Sequence, residues 1–314
     1  MAWTRTNTHG STLFFGASKV DDIFENTKEG EIRLSVEIIE LKAYKNKNLP
    51  VTALNKDKAV HSYGSCIDTI SFELDILGEP AHFCVNITES QVKLTDIVPL
   101  ARKVSTKITE LVIERVRRSG QNIPCHQGCS ACCNFLVPLS IPEALCLRED
   151  VFAMPEFLRG LIEQSCFSAT QRLLKRKPPK SFITQFTSRK LIRPVELKVL
   201  ANWYDNFKQP CSLLHEGRCI IYEQRPLSCR EYFIKGSAGA CKGKGDPAEV
   251  IKMPVLITEA LGRLTSELEG TRVEAVIMPL VFVWYEENWA RDERTWPAAV
   301  MVQRFIDIIK TMLN

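Results

Sequence analysis

Apolar and polar residues alternate along three stretches in the first third of the chain. Ile32, Leu34, Val36 and Ile38 recur every second position, and the same period returns over Ile67 to Leu77 and over Ala81 to Ile87, each bounded by Gly, Asn, Pro or Asp. This pattern predicts antiparallel strands, with Gly78-Glu79-Pro80 turning the second into the third. The period then changes. From Ile97 through Leu100, Ala101, Val104, Ile108, Leu111 and Val112 the apolar residues fall at helical spacing. Thr95 is the expected cap, Asp96 suits the positive end of the helix, and Gly120 is the expected stop.

Beyond residue 120 the periodicity is helical. Ser140-Ile141-Pro142-Glu143 has the form of a capping box, and Phe157, Leu158, Leu161, Ile162, Cys166 and Ala169 mark another amphipathic helix. Val195 to Phe207 predicts a further helix that delivers the chain to Pro210-Cys211. Helical spacing recurs over 247–270, with Gly270 as a stop, and over 298–313. The expected fold is α+β: a small antiparallel sheet unit at the N-terminus followed by a mainly α-helical part. The absence of alternating βα units counts against a TIM barrel and a doubly wound sheet. The organisation read from these patterns is a loosely ordered arm over 1–30, a small α+β unit over 31–120, a cysteine-bearing domain over 121–250, and a helical C-terminal part over 251–314 packed on it.

Composition adds bounds. In 314 residues, 41 Lys and Arg stand against 37 Asp and Glu, and 45% of positions are hydrophobic, which describes a folded chain of near-neutral charge. The longest uncharged apolar run, Ala275 to Tyr285, is 11 residues and includes Pro279, short of the roughly 20 that cross a bilayer. The first 15 residues carry no signal-peptide or transit pattern, so the expected location is cytoplasmic. The densest basic stretch, Arg172 to Lys180, contains Pro178 and Pro179 and no aromatic residue, which reads as a helix end and linker rather than a nucleic-acid surface. Neither nucleic acid nor membrane is expected as a partner.

Cysteine changes the picture most. A reducing compartment keeps thiols unpaired, so 12 of them point to metal ligation or redox chemistry. Cys125, Cys129, Cys132 and Cys133 form one group, and Cys211, Cys219, Cys229 and Cys241 form another; Cys66, Cys84, Cys146 and Cys166 are scattered and read as small core hydrophobes. Thiolates are soft donors that favour zinc, copper(I) or iron-sulfur centres over calcium or magnesium, and eight fill two four-coordinate sites. The second group has gaps of seven, nine and eleven residues, unlike paired zinc knuckles, and the first group lacks the Cys-Pro run of bacterial ferredoxins. Spacing therefore leaves iron-sulfur and zinc both open. In an extended segment Cys132 and Cys133 would point to opposite faces, so that one serves a different metal atom. His126 and His215, each near a grouped cysteine, are alternative ligands or ordinary surface imidazoles.

The run Cys125-x3-Cys129-x2-Cys132-Cys133, then Pro210-Cys211, then Cys219-Ile220-Ile221-Tyr222-x2-Arg225-Pro226-x2-Cys229-Arg230-x2-Phe233, then Cys241, resembles the YkgJ-type cysteine-cluster family over residues 121–245. Those proteins are described as zinc- or iron-chelating, are often labelled iron-sulfur-cluster proteins, and include the cysteine-rich part of flagellin lysine N-methylase. The resemblance implies a metal centre on the eight grouped cysteines. Arg225 and Arg230, which bracket the turn before Cys229, are then candidates to donate to its sulfurs or offset its negative charge, an exposed salt-bridged arginine being the plain alternative.

Two classes of function follow. In one, the centre, iron-sulfur rather than zinc on a slight preference, supports electron transfer or a methyl transfer. In the other, metal staples a non-catalytic module that binds a protein partner or handles metal ions. A third reading, a radical S-adenosylmethionine enzyme, rests on the Cys125-x3-Cys129-x2-Cys132 spacing alone and lacks the βα repeats that would support it. Whichever holds, the cysteine loops lack apolar periodicity, so metal binding is expected to add to folding stability.

Overall fold

The computed structural model describes residues 36–41, 66–183, 194–244 and 247–314. The expected arm over 1–30 and the segments 42–65 and 184–193 lie outside the described residues, as do Ile32 and Leu34 of the first expected strand.

Residues 35–314 form one compact unit, whose order begins with β1 (Val36–Leu41), β2 (Asp68–Ile76) and β3 (Glu79–Ile87). β2 and β3 make an antiparallel hairpin in which Phe72 pairs with Phe83, their rings stacked with centroids 4.9 Å apart. The turn falls at Leu77-Gly78, both at positive φ, rather than at 78–80. Two left-handed residues in a row match the twist of a two-residue hairpin, and Asp75 Oδ1 accepts from the Gly78 amide at 2.6 Å. Pro80 is therefore in the strand, opposite Asp75. β1 joins the other edge of β3 in parallel, with Val36 beside His82 and Leu41 beside Ile87, so the sheet is mixed rather than wholly antiparallel. Alternation reports that a strand is half-buried and is blind to the direction of its neighbour, which the connection decides.

The α-helices named here are α1 (Val98–Arg118), α2 (Ile141–Phe152), α3 (Glu156–Leu174), α4 (Pro194–Asp205), α5 (Leu227–Arg230), α6 (Ile257–Glu269), α7 (Val281–Asp292) and α8 (Ala298–Leu313). The α+β class holds. A 3₁₀ turn over Leu94–Ile97 leads into α1, and the cap there is Asp96, whose Oδ2 accepts from the Lys93 amide at 2.7 Å. Thr95, the expected cap, is instead buried with its hydroxyl unpartnered. Gly120 ends the helix at a φ of 77°. The capping box at α2 is formed as expected. Of the stretch 247–270, only Ile257–Glu269 is helical, while Glu249–Val250 pair with Ile234–Lys235. α7, which the periodicity reading does not assign, starts inside the apolar run 275–285 and buries Trp284 completely.

One continuous core takes Phe83 and Val85 from the sheet, Leu100 and Val104 from α1, Leu145 from α2, Leu261 from α6, Trp284 from α7 and Phe305 from α8. The C-terminal helices thus close over the N-terminal sheet. No helix among the described residues is long and apolar enough to cross a membrane.

Candidate metal centre

Both cysteine groups lie in short, turn-rich segments that the core holds at their ends. The first follows α1: Cys129 N donates to His126 O at 3.1 Å, Cys133 N to Ser130 O at 3.1 Å and Phe135 N to Cys132 O at 3.0 Å, three successive tight turns. The second follows α4 and contains a hairpin, Leu214–His215 against Arg218–Cys219, closed by Glu216 and Gly217 at positive φ. Next come the 3₁₀ turn Tyr222–Gln224 and α5, which carries Cys229. A backbone bond from Cys211 N to Cys133 O, 2.7 Å long, stitches the two segments together.

The result is a cavity of about 270 Å³ lined by Cys125, Cys129, Cys132, Cys133, Cys211, Cys219 and Cys229, together with His126, Tyr222, Arg225, Tyr232 and Phe233. Seven of the eight grouped cysteines face one space. The eighth, Cys241, is 6% exposed and packs with Cys125, Cys129 and Cys132 through the small apolar cluster around Ala131 and Ile234. The scattered four do not line the cavity. Cys66 and Cys84 stand at the sheet, Cys146 is fully buried in α2, and Cys166 is buried in α3, close enough to Cys211 for the charge of one to raise the thiol of the other.

All twelve described thiols are unpaired. Among the described residues no three His, Cys, Asp or Glu side chains close on a single point as one bound ion would require; the thiols surround a space instead. Cys132 and Cys133 do not point apart. The chain turns there rather than extending, and the two side chains share a hydrogen bond that draws the Cys132 thiol down and pushes the Cys133 thiol up. Burial raises Cys125 and Cys219, pushes Cys211 up to about 12, and takes Cys229 well above the usual thiol range with help from Cys211 and Cys132. Burial and like neighbours make the thiolates of Cys125, Cys133, Cys211, Cys219 and Cys229 harder to form, and a cation would relieve that. The soft, all-sulfur donor set fits zinc or an iron-sulfur centre by its chemistry.

The two arginines part company. Arg225 lines the cavity, where its charge favours the Cys132 and Cys219 thiolates, and its guanidinium stacks 4.1 Å from the centroid of the Tyr222 ring. Arg230 is not among the lining residues. It braces the loop from behind, donating from Nε to Arg225 O at 3.1 Å and from Nη2 to Glu223 O. His126 reaches the cavity wall with Nδ1 engaged at 2.8 Å by Pro124 O, whereas His215 sits out on the hairpin.

Two buried carboxylates complete the frame. Glu143 caps its own helix by accepting from Ser140 N and Oγ at 3.1 and 2.8 Å, and also accepts from Leu227 N at 2.7 Å and Thr258 Oγ1 at 2.9 Å. It thereby pins the start of α5, two residues before Cys229, to α2 and α6. Glu231 accepts from Ser105 Oγ at 3.1 Å and Ile257 N at 2.9 Å, and burial with the nearby Glu143 charge pushes it up to about 8. The capping-box motif announced Glu143; nothing local announced Glu231, whose partners are 126 and 26 residues away in sequence.

Comparison with models of known protein families, with curated proteins and with solved structures finds no match to this chain.

Proposed function

We propose that the cysteine-lined cavity holds a metal centre and that the chain is a cysteine-cluster metalloprotein of the YkgJ type. The observation that carries this reading is the convergence of seven thiols from two distant segments on one space of about 270 Å³. An iron-sulfur centre is preferred to a lone zinc, because four thiolates complete a zinc site and seven line this cavity. Cys125, Cys129, Cys132, Cys133, Cys211, Cys219 and Cys229 would supply ligands, and Cys241 would join them by a small movement of its loop. Bound there, the group would supply one-electron chemistry.

The chain's own residues set the surroundings. Arg225 offsets thiolate charge, Tyr232 and Phe233 restrict water, and the hydrogen bonds of Glu143 and Glu231 hold α5 in place so that Cys229 needs little reorganisation. The role is electron transfer or support of a methyl transfer at the same centre. Twelve unpaired thiols accord with a reducing compartment, and we place the protein in the cytoplasm.

The test is elemental and acid-labile sulfide analysis with a visible spectrum on protein purified without oxygen. Iron, sulfide and visible charge-transfer bands are expected. Zinc with a colourless protein would move the reading to the metal-stapled, non-catalytic module. Protein that takes up neither metal would overturn it.

A further inference from the structure

A second groove runs beside the cysteine cavity, between α1 and the loop around Arg225. It encloses about 520 Å³ and shares Cys125, Arg225 and Phe233 with the cavity wall. Three guanidinium groups, Arg117, Arg225 and Arg230, line it, and none has an ion-pair partner among the described residues. Arg230 uses Nε on Arg225 O at 3.1 Å, Nη1 on Thr106 Oγ1 at 3.5 Å and Nη2 on Glu223 O, while Arg225 uses one donor on Tyr222 O at 3.5 Å. Each guanidinium carries five N–H groups, so most of these donors are unused.

The carboxylates on the same walls do not balance this charge. Glu114 is bound to Arg118 Nε at 3.1 Å, which leaves Glu110 as the remaining acid of the lining. Thr109, 7% exposed, also lines the groove, and its hydroxyl has no hydrogen-bond partner. That hydroxyl oxygen is sealed from the groove, so the capacity to hold an oxyanion rests on the three guanidinium groups. Leu111, Ile113 and Phe233 supply an apolar wall, and the volume lies within the range of small-molecule sites.

We propose that this groove binds a small organic anion, a phosphate monoester or carboxylate with an apolar body, against Arg117, Arg225 and Arg230, one wall away from the cysteine centre. Guanidinium pairs suit both kinds of oxyanion, since each offers two oxygens to the fork. The inference stands on the three cations, of which Arg117 and Arg230 lie outside the cysteine cavity and Arg225 is shared with it.

Isothermal titration calorimetry of the full chain as purified, with phenyl phosphate, phenylacetate and inorganic phosphate as probes, tests it. Binding of one aromatic anion is expected, tighter than inorganic phosphate and weakened by salt. Tighter binding of phenyl phosphate assigns a phosphate monoester, and tighter binding of phenylacetate assigns a carboxylate. Arg117→Ala and Arg117→Gln, on the exposed face of α1, should each weaken binding about tenfold, the order of one charge-assisted hydrogen bond, with melting temperature and metal content unchanged. Wild-type protein that binds neither aromatic anion, or folded variants that bind as tightly as wild type, would overturn the assignment.

Discussion

The sheet with its covering helices and the cysteine region are built on opposite terms. In the first, long elements meet through side chains such as Val85, Leu145, Trp284 and Phe305, all fully buried. In the second, elements are two to four residues long, positive-φ residues recur at Gly128, Glu216 and Gly217, and most thiols are only half-buried. The core holds itself by excluding water. The cysteine region is held by specific bonds, from Cys211 N to Cys133 O within it and from Glu143 and Glu231 to its frame. A region assembled by directed bonds around a space keeps donors in place without filling that space, as a ligand site requires.

The largest effect should come from the core. Phe305→Ala should cost about 3–5 kcal/mol in denaturant unfolding, because the fully packed site leaves a cavity behind. A cysteine substitution that cost as much would show that the two regions share their stability.

Glu143→Ala comes next. It strands the Leu227 amide and the Thr258 hydroxyl and uncaps α2, each loss about 1–3 kcal/mol, so unfolding and metal content should both respond. Glu143→Gln keeps an acceptor and should do less.

Cys132→Ser and Cys229→Ser sharpen the contrast further. Both should lose most bound metal, whereas Cys146→Ser, outside the cavity, should keep it. The cysteine-poor core predicts that limited proteolysis of the first two opens the loops over 121–140 and 211–245 and spares the helices. The alternative expectation, that metal adds to global stability, would show as cleavage throughout.

A smaller effect is a pH slope. Glu231 is raised from the usual carboxyl value of 4.5 to about 8 by burial, so the folded protein holds a proton that the unfolded chain releases. Stability is therefore full below pH 4.5 and falls as pH rises toward about 8. Melting temperatures of wild type and Glu231→Gln across that range should diverge, the variant showing the flatter profile. The smallest effect belongs to exposed Cys66. Cys66→Ser should change stability by less than about 0.5 kcal/mol and leave metal content alone.

Much of the fold was legible because local rules govern it. Alternation located β2 and β3, the Ser140–Glu143 box started α2 where expected, and the grouping of cysteines separated those on the cavity from Cys66, Cys84, Cys146 and Cys166. Each of these depends on residues within a few positions of one another or on composition. Other features depend on partners far along the chain. The parallel pairing of β1, the burial of α7, the shared hydrogen bond of Cys132 and Cys133, and the second role of Glu143 are set by neighbours that no local period encodes. The arginines show the division most plainly. The motif marked Arg225 and Arg230 alike, and only the packing of the loop against α1 turned one toward the thiols and the other onto backbone carbonyls. Spacing along a chain names the donors, while direction in space is settled by what packs behind them.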